Sequence, residues 1–173
     1  MQARRIFLGI GVLLAGTVWY AFRPERLLVN RTVDEPLLAP GAGDREMELV
    51  GRGLVPPPAF TALAIGHFRS GAHETAGQAT VYRLEGGKRL LRLTSFRTTN
   101  GPDVHVYLVA AANVAGDDDV KRADVLDLGE IKGNIGDQNY EVPAGTDLSK
   151  YRSVSIWCKR FGVNFGSARL APA

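Results

Sequence analysis

Val81-Tyr82-Arg83-Leu84-Glu85-Gly86-Gly87-Lys88-Arg89-Leu90-Leu91-Arg92-Leu93 sets two short apolar runs on either side of a glycine pair. Both glycines adopt a positive φ at little cost, as a tight hairpin connection requires. The stretch therefore predicts two antiparallel strands joined by a turn. Further along, Thr99-Asn100-Gly101-Pro102 reads as a turn, and an alternating strand follows it. Val104, Val106 and Leu108 fall on one face, and Asp103, His105 and Tyr107 on the other. Val125 to Leu128, Tyr140 to Val142, Ser153 to Cys158 and Gly162 to Leu170 read as further strands. Ala110 to Asp119 reads as a loop, and Asp147-Leu148-Ser149-Lys150 as one helical turn capped by Asp147. Roughly seven or eight short strands between Phe60 and Leu170 predict an all-β domain, an antiparallel β-sandwich or partly closed barrel. That length suffices to bury a core.

Upstream of this domain, residues 60–173, the composition changes. Residues 23–59 carry Pro24, Pro36, Pro40 and the run Pro56-Pro57-Pro58, together with Gly41, Gly43, Gly51 and Gly53. Proline removes backbone donors and restricts its neighbours, so this stretch is expected to be a linker or stalk. Before it, Met1 to Arg5 is a short basic start and residues 6–22, IFLGIGVLLAGTVWYAF, carry no charge. As a helix that run is about 25 Å long, at the short end for a bilayer core of ~30 Å. It exceeds the core of an ordinary signal peptide, and Trp19 and Tyr20 suit a headgroup belt. Leu14-Ala15-Gly16 opens like a lipoprotein cleavage box, but Thr17 stands where the lipidated cysteine must be. The expectation is a signal anchor over 1–22, a single-pass membrane helix with the amino terminus in the cytoplasm. The domain is then extracytoplasmic, periplasmic or extracellular. A cleaved signal peptide is the competing reading.

Composition excludes more than it supplies. In 173 residues, 45% are hydrophobic and 23% charged, as in ordinary globular chains. The net charge is only +3, and Arg4 and Arg5 in the terminal segment contribute to it. Such a body is not built to grip nucleic acid by bulk electrostatics. A single cysteine, Cys158, excludes an internal disulfide, a four-cysteine zinc site and any Cys-x-x-Cys motif. The two methionines, Met1 and Met47, leave little for a methionine-ligated metal.

Cys158 ends the run Val154-Ser155-Ile156-Trp157-Cys158, and alternation puts Val154, Ile156 and Cys158 on the core face with Trp157 opposite. Two readings stand. A lone cysteine in an apolar strand is usually a small buried hydrophobe. An unpaired cysteine in an exported protein is a reactive thiol, a ligand or an intermolecular partner, and Lys159 or Arg160 would favour the thiolate if either approached it. The histidines are His67, His73 and His105. His105 is expected to be exposed, opposite Val104 and Val106, and His73 lies in a loop from which it can fold back on a strand end. No histidine follows Cys158, which counts against a blue-copper site. Haem with Cys158 or a histidine as axial ligand needs no covalent attachment. Asp117-Asp118-Asp119 lacks the spaced oxygens of a calcium loop. Trp157, Phe161, Phe165, Phe68 and Phe96 read as core. No phosphate loop, nucleophile elbow or His-Glu-x-x-His occurs, so an enzyme with ordinary turnover ranks last.

Several stretches together resemble a known family. They are Gly66-His67-Phe68; His73 with Gly77; Gly101-Pro102-Asp103-Val104-His105-Val106-Tyr107-Leu108; Leu128 with Lys132-Gly133-Asn134-Ile135-Gly136-Asp137-Gln138-Asn139-Tyr140-Glu141-Val142-Pro143; Tyr151 to Cys158; and Phe161 to Leu170. In order and spacing they are similar to the DM-thirteen domain, proposed to transfer electrons in Skeletor-type proteins and in many bacterial exported proteins. The resemblance implies a β-sandwich whose signature cysteine, matched by Cys158, works in redox as a bare thiol or as the ligand of a haem or metal. His73 and Asp103 match family positions too, and Trp157 adjoins the cysteine. The functional expectation is a membrane-anchored redox domain with Cys158, His73, Trp157 and Asp103 as its site and an unidentified redox or protein partner. The alternative is a non-catalytic binding or adhesion domain in which the cysteine is structural.

Overall fold

A computed structural model describes residues 29–37, 45, 48–49, 52–54 and 59–173. The expected membrane helix over 6–22 lies outside these residues. Among the described residues no helix is long and apolar enough to cross a membrane.

The strands are β1 (Phe60–Ser70), β2 (Ala76–Leu84), β3 (Arg89–Arg97), β4 (Val104–Val109), β5 (Val125–Glu130), β6 (Ile135–Val142), β7 (Ser153–Cys158), β8 (Val163–Arg169) and β9 (Ala171–Pro172), and an α-helix, α1 (Asp117–Arg122), lies between β4 and β5. They form a nine-stranded sheet in the order β5-β4-β7-β8-β1-β2-β3-β6, with β9 beside β1, and every strand pair is antiparallel. The predicted hairpin is β2–β3, and Gly86 and Gly87 take φ of 77° and 81° at its turn. β1 joins the two halves. Its first part pairs with β2 up to His67, and Phe68 to Ser70 pair with β8. The end strands β5 and β6 are consecutive in the chain, and the turn between them folds inward, with the Ile131 N–H donating to Val104 O at 2.9 Å. The result is a nearly closed barrel.

Its interior holds Val81, Leu91, Leu93 and Phe96 from one half and Val104, Val106, Leu108, Val154, Ile156, Cys158, Phe165 and Ala168 from the other. The alternation of β4 and β7 thus runs as expected. A second cluster forms on their outer face, where Tyr107, Val109 and Trp157 pack with Val114 and Val120. This cluster explains why β4 and β7 are buried on both sides. The stretch expected as a loop through Asp119 instead enters α1 at Asp117. Asp119 turns back to the Ala115 and Gly116 N–H groups at 2.8 and 3.2 Å, and Val120 plugs the outer cluster. Three acidic residues at a helix start suit its dipole. Asp147 does cap its turn, accepting from Ser149 N–H at 2.8 Å.

Part of the proline-rich stretch lies on the domain. The Val33 and Glu35 N–H groups donate to Ile135 O and Asp137 O at 2.9 Å each, and Thr32 bridges Ile135 in parallel. This covers the β6 edge, which would otherwise present unpaired backbone groups. Glu35 binds the Lys132 ammonium at 2.7 Å and accepts from the Asn139 N–H. Gly133 and Gly136 leave room for the segment, since a Cβ on either would overlap the Arg31 or Val33 carbonyl. Beneath it, fully buried Gln138 accepts from the N–H groups of Lys132 and Gly133 and from the Tyr140 hydroxyl, and donates to Gly133 O. Burial raises the Tyr140 phenol well above its ordinary range. The Lys132-to-Val142 run, part of the resemblance noted above, is therefore the brace that shapes this end of the barrel.

Candidate functional site

Cys158 closes β7 opposite Val104 on β4 and Val163 on β8. Its side chain has no exposure and sits in the main core. The Lys159 ammonium is engaged by a carboxylate, its Nζ donating to Asp127 Oδ2 at 3.2 Å. His73 is half-buried in the loop after β1, where Thr75 holds its carbonyl. Its ring lies 3.9 Å, centroid to centroid, from Phe165, and among the described residues no hydrogen bond or ring contact joins it to Cys158. His67 is exposed on β1.

The structure brings together a different set. Asp103 directly precedes β4, and its backbone oxygen accepts from the Lys159 N–H at 2.9 Å. Its Oδ1 lies 3.1 Å from His105 Nε2, and the other ring nitrogen, Nδ1, lies 2.9 Å from Asp127 Oδ1 on β5. Asp127 also accepts from the Gly129 N–H at 2.9 Å. His105 is only 9% exposed, against the expectation that it faces solvent. Alternation assigned its face correctly, but neighbouring carboxylates and Tyr107 cover that face. The His105 and Tyr107 rings meet edge-on at 6.3 Å, and Tyr107 stacks on Trp157 at 6.3 Å and 27°. Glu130 at the end of β5 stands opposite His105 in register, and donor atoms of Asp103, His105 and Glu130 all lie within 4.8 Å of one another.

The electrostatics follow from this packing. Burial alone would raise the Asp127 carboxyl, but the bonds from His105, Gly129 and Lys159 outweigh it and hold the group below the usual aspartate range. Lys159 is raised by the same bond and charge. Burial, then the Asp127 charge, pushes the Tyr107 phenol up against the opposing pull of Lys159. Beside this polar centre, a cleft of about 320 Å³ opens between the docked segment and the β5–β6 turn, lined among others by Arg31, Asn100, Glu130, Lys132 and Asn134.

A family model described as electron transfer DM13 matches residues 67–170, well over half of the chain. The chain belongs to the electron transfer DM13 family. No curated protein and no solved structure is significantly similar to it. The match spans both the sealed Cys158 and the polar centre around His105. Haem, which the resemblance would hang on Cys158, does not fit this DM13 domain. Its usual axial ligands are His, Cys, Met and Tyr. The cleft lining has none of these, the sulfur is enclosed, and the His73 ring lies against Phe165. Of the residues expected at the site, Asp103 and Trp157 flank the polar centre, while His73 stands apart from it. Asp127 and Glu130 were missed, since only the β4–β5 register brings them to His105, and Lys159, weighed as a partner of the Cys158 sulfur, pairs with Asp127 instead.

Proposed function

We propose that this chain is a membrane-tethered, extracytoplasmic electron-transfer module whose working site is the polar centre Asp103–His105–Asp127 with the stacked Tyr107–Trp157 pair beside it. The observation that carries the reading is membership of the electron transfer DM13 family, whose model matches residues 67–170, from the end of β1 through β8. The anchor is residues 6–22, with the amino terminus in the cytoplasm, and residues 31–35 of the tether meet β6. In the cysteine-centred form of the reading, Cys158 would exchange electrons as a thiol or ligate a group. That form requires a sulfur reachable from solvent, and this sulfur has no exposure. Cys158 then acts as core packing behind Val104, holding the strand that carries Asp103 and His105.

The test is a redox titration of the full chain, purified from its native membrane in mild detergent and followed by absorption and electron paramagnetic resonance. A reversible couple that survives Cys158→Ala and disappears in His105→Gln is expected. A couple lost in Cys158→Ala and kept in His105→Gln, or none at all, overturns the reading. Protease accessibility in intact and opened cells tests the topology, with cleavage of the domain from outside expected. A second reading, a binding domain with no redox role, is favoured by the cleft beside Glu130 and Lys132; the absence of any couple supports it.

A further inference from the structure

A neutral imidazole has one N–H to donate. In His105, both ring nitrogens face carboxylates, Asp127 at 2.9 Å and Asp103 at 3.1 Å. If Nδ1–H is given to Asp127, the Nε2 lone pair points at an Asp103 oxygen, acceptor against acceptor. A cation between the two turns that repulsion into two coordinate bonds. We propose that Asp103, His105 and Glu130 form a binding site for a divalent first-row transition metal ion, with Nε2 and the two carboxylates as ligands and the remaining positions open. The proposal deepens the polar centre described above and rests on the electron-transfer reading only for its redox consequence.

Four observations support it. The donor atoms lie within 4.8 Å of one another, with the Asp103–His105 edge at 3.1 Å. Metal–ligand bonds of about 2.0–2.2 Å hold adjacent ligands roughly 3–3.5 Å apart, so only Glu130, at the strand end, must draw in. The imidazole is preset, since it is nine-tenths buried and packed edge-on against Tyr107. Asp127 supplies the carboxylate–histidine–metal arrangement that fixes tautomer and ring orientation, and it is itself held by the Gly129 N–H and Lys159. The ammonium of Lys159 pairs with this orienting carboxylate, on the Nδ1 side of the ring. Finally, Glu130 also lines the cleft, which gives an entering ion or ligand a path. One nitrogen and two carboxylate donors suit manganese, iron or zinc better than calcium, which takes oxygen alone.

The full chain, stripped with a chelator and dialysed, is titrated with zinc(II) by calorimetry and with cobalt(II) by visible absorption. One ion per chain with cobalt d–d bands is expected. Asp103→Asn and Glu130→Gln should each weaken binding about tenfold or more, Asp127→Asn by about 10- to 100-fold, and Cys158→Ala not at all. No calorimetric heat and no cobalt bands, with nitrogen-15 shifts showing His105 doubly protonated, overturn the site, because a second proton then bridges the carboxylates. Metal binding in a chain with no redox couple keeps the site and refutes the electron-transfer reading. A couple without metal binding refutes the site alone.

Discussion

The sealed sulfur makes a prediction that a working thiol does not share. Cys158 has no exposure and packs in the core that includes Val104, Ile156 and Phe165. Cys158→Ala removes one core atom about the size of a methylene. The transfer and cavity costs together come to about 1–2 kcal/mol. Cys158→Ser keeps the shape but carries a hydroxyl into an apolar site. Among the described residues no buried side-chain nitrogen or oxygen lacks a partner, and the Cys158 carbonyl is already taken by the Gly162 N–H at 2.9 Å. An unpaired hydroxyl costs about 1–3 kcal/mol. The conservative change should therefore cost at least as much as the truncating one, with melting temperatures falling by about 4 °C per kcal/mol. Urea unfolding of wild type and both variants checks the order. Labelling with an aromatic disulfide reagent checks access. With a domain stability of about 5–10 kcal/mol, the open fraction is on the order of 10⁻⁴ or less, and labelling slows accordingly. Labelling of the folded protein at the rate of a free thiol, or a serine variant more stable than the alanine one, refutes the reasoning.

Two further outcomes are expected. Gly136→Ala places a Cβ on the Val33 carbonyl at a position whose φ is +101°, so residues 31–36 should lift from β6; hydrogen exchange should rise at Val33 and Glu35, at a cost of about 1–2 kcal/mol, and unchanged protection there counts against the docking. Acid should destabilise the domain. The carboxyls of Asp119 (by the Ala115 and Gly116 N–H groups), Asp124 (by Lys150) and Asp147 (by Ser149) are held below the ordinary aspartate value. Folded values below the unfolded ones mean the contribution is complete above about pH 4 and lost as pH falls through the folded values. The urea midpoint should drop between pH 7 and pH 3, and the Asp119→Asn, Asp124→Asn, Asp147→Asn triple variant should lose part of that drop; a midpoint that holds or rises at pH 3 contradicts the assignment.

What could be read from the sequence was what neighbouring residues determine among themselves. The glycine pair at 86–87, the alternation of β4 and β7 and the Asp147 turn are local, and each appears where its chemistry puts it. The longest strand, β1, was not picked out. Its alternation is broken by a register shift between Ala62 and Ala64, and small residues such as Gly66 sit inward, where a Cβ would overlap the Arg169 carbonyl. The first half of β6 carries Gly136 and Asp137 and looks like a turn. It is a strand because Gln138 braces it from within and residues 32–35 cover it from outside, and neither partner is a sequence neighbour. The site divides in the same way. Asp103 and His105 are visible as a pair two residues apart, while Asp127, Glu130 and Lys159 reach them only through strand pairing.

This division bears on what a lone cysteine means in such a chain. Uniqueness draws attention to Cys158, yet its backbone partner Val104 lies between Asp103 and His105. Gly101 packs on the same spot, where an added Cβ would stand 2.9 Å from Phe165 Cζ and closer still to Val104. Gly101, Asp103 and Cys158, which are among the residues that carry the resemblance, therefore belong to one construction. A glycine admits the turn, a small core side chain lets β4 and β7 close, and the carboxylate lands beside the buried imidazole. A bulkier residue at 158 would overfill a core packed to native density, displacing Val104 and with it the 3.1 Å edge between Asp103 and His105. Cys158 and the polar centre are thus coupled through packing, so loss of activity in a cysteine variant does not by itself make the sulfur the redox atom. Only a variant that keeps the Asp103–His105 geometry while lacking the thiol separates the two roles, and Cys158→Ala, the smallest change to the core, is that variant.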